Sequence, residues 1–170
     1  EQEGTYPLPE AQLDRFLLQI DIDYPSLEEE RAILLATTGA SEETAETVLD
    51  PDRLIALQML VREMPVGERV LDAILALVRA ARPGEPGAAP VAERLAFGPG
   101  PRAAQSLMLA VRARALLDGR LAPSIEDVHA LAPAALAHRM ALTFAARAEG
   151  ATVRSVIDEV LAGQSLEAAA

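Results

Sequence analysis

The sequence predicts a mainly α fold, a helical bundle preceded by a short helix–strand remnant of an α/β domain. Three observations point there. From Pro25 onward apolar residues recur at helical spacing nearly to the end, as in Val70, Leu71, Ile74, Leu75 and Val78. One stretch only, Leu18–Tyr24, alternates apolar and polar residues with period two. Pro and Gly gather between Arg82 and Pro101, which reads as a loop. The expected organisation is an α/β remnant over 1–24, a helical connector over 25–64, an all-α domain over 65–163 and a frayed tail over 164–170.

Each element has its own signal. Pro9 suits a first helical position and Glu10 favours the positive end of the helix dipole. Leu13, Phe16 and Leu17 fall at i, i+3 and i+4 and are expected to share a buried face, with Arg15 pointing away from it. The strand at Leu18–Tyr24 would leave its backbone groups unpaired, because no second strand lies nearby. Its sheet is therefore expected upstream, with this chain the C-terminal piece of a longer protein. Ser26-Leu27-Glu28-Glu29 is a capping box for a helix ending near Gly39. The acidic stretch Ser41–Glu46 reads equally as a loop or as an exposed helix. Asp50 caps a helix with Pro51 at its first position and a stripe of Leu54, Leu57, Val61 and Met64. Gly67 begins the next helix. Pro101 opens another, which carries Leu107, Met108, Val111, Ala115 and Leu116 and stops at Gly119. Ser124 starts a helix expected to break at Pro133. A last helix begins near Thr152, with Val153, Val156, Ile157, Val160 and Leu161 inward.

Composition excludes several functions. The chain has 170 residues, 51% of them hydrophobic and only 3% aromatic, so its core must be aliphatic. A net charge of −11 argues against nucleic acid as a direct partner. No apolar run is long enough to span a membrane. Cysteine is absent. All 15 basic residues are arginine. A phosphate-binding P-loop needs a lysine, so this chain cannot contain one.

Two arginines stand out. Arg15 ends the short N-terminal helix. Arg102, after Pro101, sits in the first turn of its helix, the wrong end for a cation unless an anion binds there. The run Glu1-Gln2-Glu3-Gly4-Thr5-Tyr6-Pro7-Leu8-Pro9-Glu10-Ala11-Gln12-Leu13-Asp14-Arg15-Phe16 resembles the segment of MoxR-type AAA+ ATPases that follows the sensor 1 asparagine and carries the arginine finger. Gly98-Pro99-Gly100-Pro101-Arg102-Ala103 resembles the sensor 2 motif of that family, with Gly100 where the family often has Ser. The resemblance extends over residues 1–35 and 98–142. It implies that the helical domain is an AAA+ lid and that 1–24 ends an AAA+ core. Arg15 would then act in trans on ATP held by a neighbouring subunit. Arg102, flanked by Pro101 and Ala103, would contact ATP in its own subunit. The family's cofactors are ATP and magnesium. Its assembly is a ring, commonly a hexamer, in the cytoplasm. Its activity is chaperone-like, maturing or inserting cofactors into client complexes that include von Willebrand A-type domains. The fragment alone is expected to be inactive.

The remaining polar groups have ordinary explanations. Glu28-Glu29-Glu30 and Glu42-Glu43 belong at solvated helix starts, and Ser26 and Ser124 are N-caps. His129 and His138 lack the spacing of metal ligands; His138-Arg139 is expected to cap a helix C-terminus. Two rival readings stand beside the first. One is the ATPase subunit of a magnesium-chelatase-type complex, which shares Leu13-Asp14-Arg15-Phe16. The other is a non-enzymatic acidic helical interaction module.

Overall fold

A computed structural model describes residues 8–39 and 45–167. The acidic run at 41–44 and the leading residues 1–7 lie outside the described residues. The chain divides into two units, Ile20–Met59 and a larger one formed by Glu1–Gln19 with Leu60–Ala170.

The larger unit is mainly helical, as expected. It begins with α1 (Glu10–Leu13) and takes in the end of α3 (Pro51–Glu63). Then come α4 (Glu68–Ala80), a 3-10 turn at Pro90–Arg94, β1 (Leu95–Phe97), α5 (Pro101–Leu117) and α6 (Ile125–Leu136). A second 3-10 turn at Ala137–Arg139, β2 (Ala141–Leu142), α7 (Phe144–Ala148) and α8 (Val153–Glu167) complete it. α5 packs on α4 and α6, and α8 packs on α4 and α6. Their shared interior is aliphatic, built from Ile74, Leu77, Leu107, Val111, Val128, Leu136, Val156, Ile157 and Val160. Alanines 103, 115, 132 and 135 are fully buried among them, filling in small steps the space that aromatic residues would occupy elsewhere. Each buried Leu or Ile contributes about 1.5–3 kcal/mol of transfer free energy.

Four expectations change here. The Pro/Gly-rich segment is more ordered than a loop: its Leu95–Phe97 portion pairs antiparallel with β2, Leu95 opposite Leu142 and Phe97 opposite Ala141. The partner strand lies far away in sequence, so local reading could not find it. α6 runs straight through Pro133, which stands inside the helix. Ala132, Ala135 and Leu136 on either side are completely buried, and that packing outweighs the backbone hydrogen bond the proline removes. α8 continues to Glu167, past the expected start of fraying at Gln164. α1 stops at Leu13, so the face shared by Leu13, Phe16 and Leu17 does not form; Phe16 is 54% exposed.

The smaller unit holds α2 (Leu27–Thr37) and the greater part of α3. The capping box is present: Ser26 N donates to Glu29 Oε2 at 2.7 Å, and Glu29 N donates to Ser26 Oγ at 3.4 Å. Asp50 Oδ1 accepts from Arg53 N at 2.7 Å, capping α3. The expected strand at Leu18–Tyr24 is absent. Those residues have no regular structure, and Ile22 and Tyr24 are 90% and 98% exposed. Among the described residues no strand borders them, and a strand without a ladder is not stable in water. Leu54 and Leu57 of the predicted stripe are exposed, whereas Met64 is buried.

Candidate functional site

Of the two arginines singled out by sequence, Arg102 bonds the carboxylate of Asp14, and Arg15 is the next residue in the chain. α1 is too short to be stable alone and delivers Asp14 and Arg15 at its C-terminal edge. Arg15 N donates to Gln12 O at 3.0 Å, which holds its backbone in the turn, while its side chain is exposed. It forms no ion pair with any described residue. Arg102, second residue of α5, donates from Nη1 to Asp14 Oδ2 at 3.1 Å, with half of its side chain exposed. The carboxylate thus supplies the negative charge that a first-turn cation lacks.

The entry to α5 is fixed by close packing. A Cβ on Gly98 would lie 2.3 Å from Ala81 O and 3.0 Å from Arg82 Cα, a space only glycine fits. Arg82 Nε donates to Pro99 O at 2.9 Å across the same gap. Pro101 occupies the first helical position, and Gly100 caps without a side chain. Ala103 is wholly buried, and its N–H donates to Gly100 O at 3.1 Å. Its part is to seat the helix, leaving Arg102 as the group presented to solvent.

A third arginine, not expected at this site, closes it from below. Arg139 is buried, its side chain 1% exposed. Nε donates to Asp14 Oδ1 at 3.2 Å and to Asp14 O at 3.3 Å. Nη2 donates to Asp14 O at 3.1 Å, to Phe16 O and to Ser106 Oγ at 2.9 Å. Nη1 reaches Leu17 O at 3.4 Å and Ala135 O. Burial lowers the Arg139 pKa and Asp14 opposes that shift; a guanidinium remains charged throughout. Sequence reading gave His138-Arg139 a helix-capping role. Arg139 does bond the carbonyl of Ala135 within α6, but most of its donors are spent on residues 14–17. Nothing local signals this, because those acceptors lie more than 120 residues earlier.

His138 Nε2 lies 3.1 Å from Phe16 O, so that nitrogen carries the proton. Nδ1 is buried without a partner. Burial lowers the His138 pKa, and the neighbouring Arg139 charge adds to the effect. The ring is neutral, which leaves only a lone pair unsatisfied.

The arrangement is cationic: Arg102 and Arg139 both bond Asp14, Arg15 follows it in the chain, and the side chains of Arg15 and Arg102 are exposed. Such groups suit phosphate oxygens. Among the described residues no three His, Cys, Asp or Glu side chains gather to hold a metal ion, and no helix is long and apolar enough to cross a membrane.

Comparison with known proteins bears on the family of the chain. The AAA lid domain family matches residues 87–160, a range that includes Arg102 and Arg139. Chaperone MoxR1 of Mycobacterium tuberculosis is 39% identical over 162 residues, 95% of this chain and 43% of that protein. The uncharacterized protein YeaC of Bacillus subtilis is 36% identical over 162 residues, 95% of this chain and 48% of its own length. A crystal structure of a candidate ATPase from Cytophaga hutchinsonii has a TM-score of 0.86 at 30% identity, covering 95% of this chain and 49% of that one. The chain therefore spans less than half the length of these relatives.

Proposed function

The chain belongs to the MoxR-like AAA+ proteins, and from that premise we propose that it supplies two phosphate-reading arginines to an ATP-hydrolysing ring. The observation that carries this reading is the meeting of Arg102 with Asp14, the residue next to Arg15. Arg15 presents an exposed guanidinium beside that pair. In the ring it reaches the ATP of the adjacent subunit and spreads the charge of the transferring phosphoryl group. Arg102 serves the ATP of its own subunit. To do so it exchanges Asp14 for a terminal phosphate, a better bidentate partner for a planar guanidinium.

The chain contains no lysine and therefore no P-loop. Its described residues gather no set of three His, Cys, Asp or Glu side chains to hold a magnesium ion either. The phosphate cradle and metal ligands belong to other parts of the proposed parent. ATP and magnesium, a hexameric ring and chaperone-like work on client complexes, including cofactor insertion and von Willebrand A-type partners, complete the proposal. The similarity to a chaperone and to a candidate ATPase supports the chaperone and ATPase parts of it.

Subunit mixing in the full-length protein tests it. Arg15→Ala should lower ATP turnover about a thousandfold or more, the scale of an arginine finger. Mixing that variant with subunits whose own nucleotide site is disabled should restore part of the turnover, because each supplies what the other lacks. Unchanged turnover in Arg15→Ala would overturn the assignment.

A further inference from the structure

We infer that Arg139 is the positioning residue for Arg15, holding rigid the turn from which that side chain projects; the inference rests on reading Arg15 as the arginine that acts across the ring. Burying a guanidinium is costly before its partners respond, and replacing a buried ion pair by well-packed apolar side chains is often neutral or stabilising. What Arg139 provides instead is geometry.

Its donors bracket one residue. Asp14 O and Phe16 O, the carbonyls on either side of residue 15, both accept from Nη2. Asp14 Oδ1 accepts from Nε, and Leu17 O from Nη1. His138 Nε2 makes a second bond to Phe16 O, and Gln19 N donates to Ala134 O at 2.8 Å just beyond. The turn therefore takes its shape from the lid, because the single helical turn of α1 cannot fix it. Ser106 on α5 and Ala135 on α6 hold the guanidinium plane in turn. Only a five-donor planar fork serves this many acceptors; a lysine ammonium offers three donors from one point. A reacting group displaced by about 1 Å loses on the order of a hundredfold in rate, so the bracketing of residue 15 bears directly on turnover.

The test uses the full-length ATP-hydrolysing protein with Arg139→Lys, and Ser106→Ala as a milder variant that keeps the guanidinium. Arg139→Lys should lower kcat roughly 10- to 100-fold with KM for ATP nearly unchanged, and Ser106→Ala roughly threefold. In an Arg15→Ala background neither substitution should lower turnover further. Hydrogen exchange should show faster amides over 15–19, with the α5 and α6 core still protected. An additional loss in the Arg15→Ala background, or an unchanged kcat in Arg139→Lys while Arg15→Ala is impaired, overturns the inference. If Arg15→Ala itself leaves turnover unchanged, the finger assignment has failed instead.

Discussion

Asp127 is buried at the start of α6, with Arg120 donating to both of its oxygens at 2.7 Å and Arg114 Nε 3.3 Å away. Ser124 N adds a donor at 2.8 Å. The Arg120 hydrogen bonds are the main reason its pKa is lowered. A carboxylate with a lowered folded pKa contributes stability above the ordinary carboxylate range, and that stability is lost as pH falls through the lowered value. Asp127→Asn should therefore cost about 2 kcal/mol near neutral pH and flatten the acid limb of a urea-midpoint profile. His138 acts in a higher window. Its folded pKa lies below the ordinary 6.5, so the unfolded chain takes up the proton first and stability declines as pH drops below that value. His138→Asn should remove that slope below about pH 6.5, read from thermal midpoints. The helix start beside Asp127 was legible, since Ser124 reads as an N-cap. The Arg139 cluster was not: most of its partners are main-chain carbonyls, which carry no residue identity, and its two side-chain partners, Asp14 and Ser106, lie far away in sequence.

Elements were legible where their signals were local. The starts of α2, α5 and α6 follow from Ser26, Pro101 and Ser124, and the end of α5 from Gly119, whose φ of 71° favours glycine. What escaped depended on distant contacts: β1 needed β2, and α6 survived Pro133 because the core holds both of its flanks. The α5 entry gives two opposite expectations. Gly98→Ala would force a methyl against Ala81 O and should lower the thermal midpoint by several degrees, with ATP-linked changes following if Arg102 shifts. Gly100 has open space around its Cβ position, so Gly100→Ser should add an N-cap and a few tenths of a kcal/mol, read as a small rise in the same midpoint.

On the scale of the whole chain, the bundle buries an aliphatic core while Ile20–Met59 keeps its large apolar residues in solvent, Leu27, Ile33, Leu34 and Leu35 among them. Hydrogen exchange should divide the protein accordingly: amides of α4, α5 and α6 slow, those of α2 fast, because few buried contacts oppose local opening there. Uniform protection across both units would contradict this division. The purified 170-residue chain should show no ATP turnover, having no lysine for a phosphate loop. Sequence chemistry anticipated the bundle and both exposed arginines, but not the carboxylate that joins Asp14 to Arg102, because their side chains meet across 88 positions.

The clamp on residues 14–17 also bears on how the chain acquires its structure. Arg139 and Asp14 are separated by 125 positions, so their bonds close a very long loop. Helices α4 to α6 follow one another in the chain, and their mutual contacts close shorter loops, so they are expected to form first because they sacrifice less chain entropy. The N-terminal turn is then expected to dock onto the assembled bundle. Weakening the clamp should leave the refolding rate almost untouched and accelerate unfolding, the kinetic mark of contacts made after the barrier.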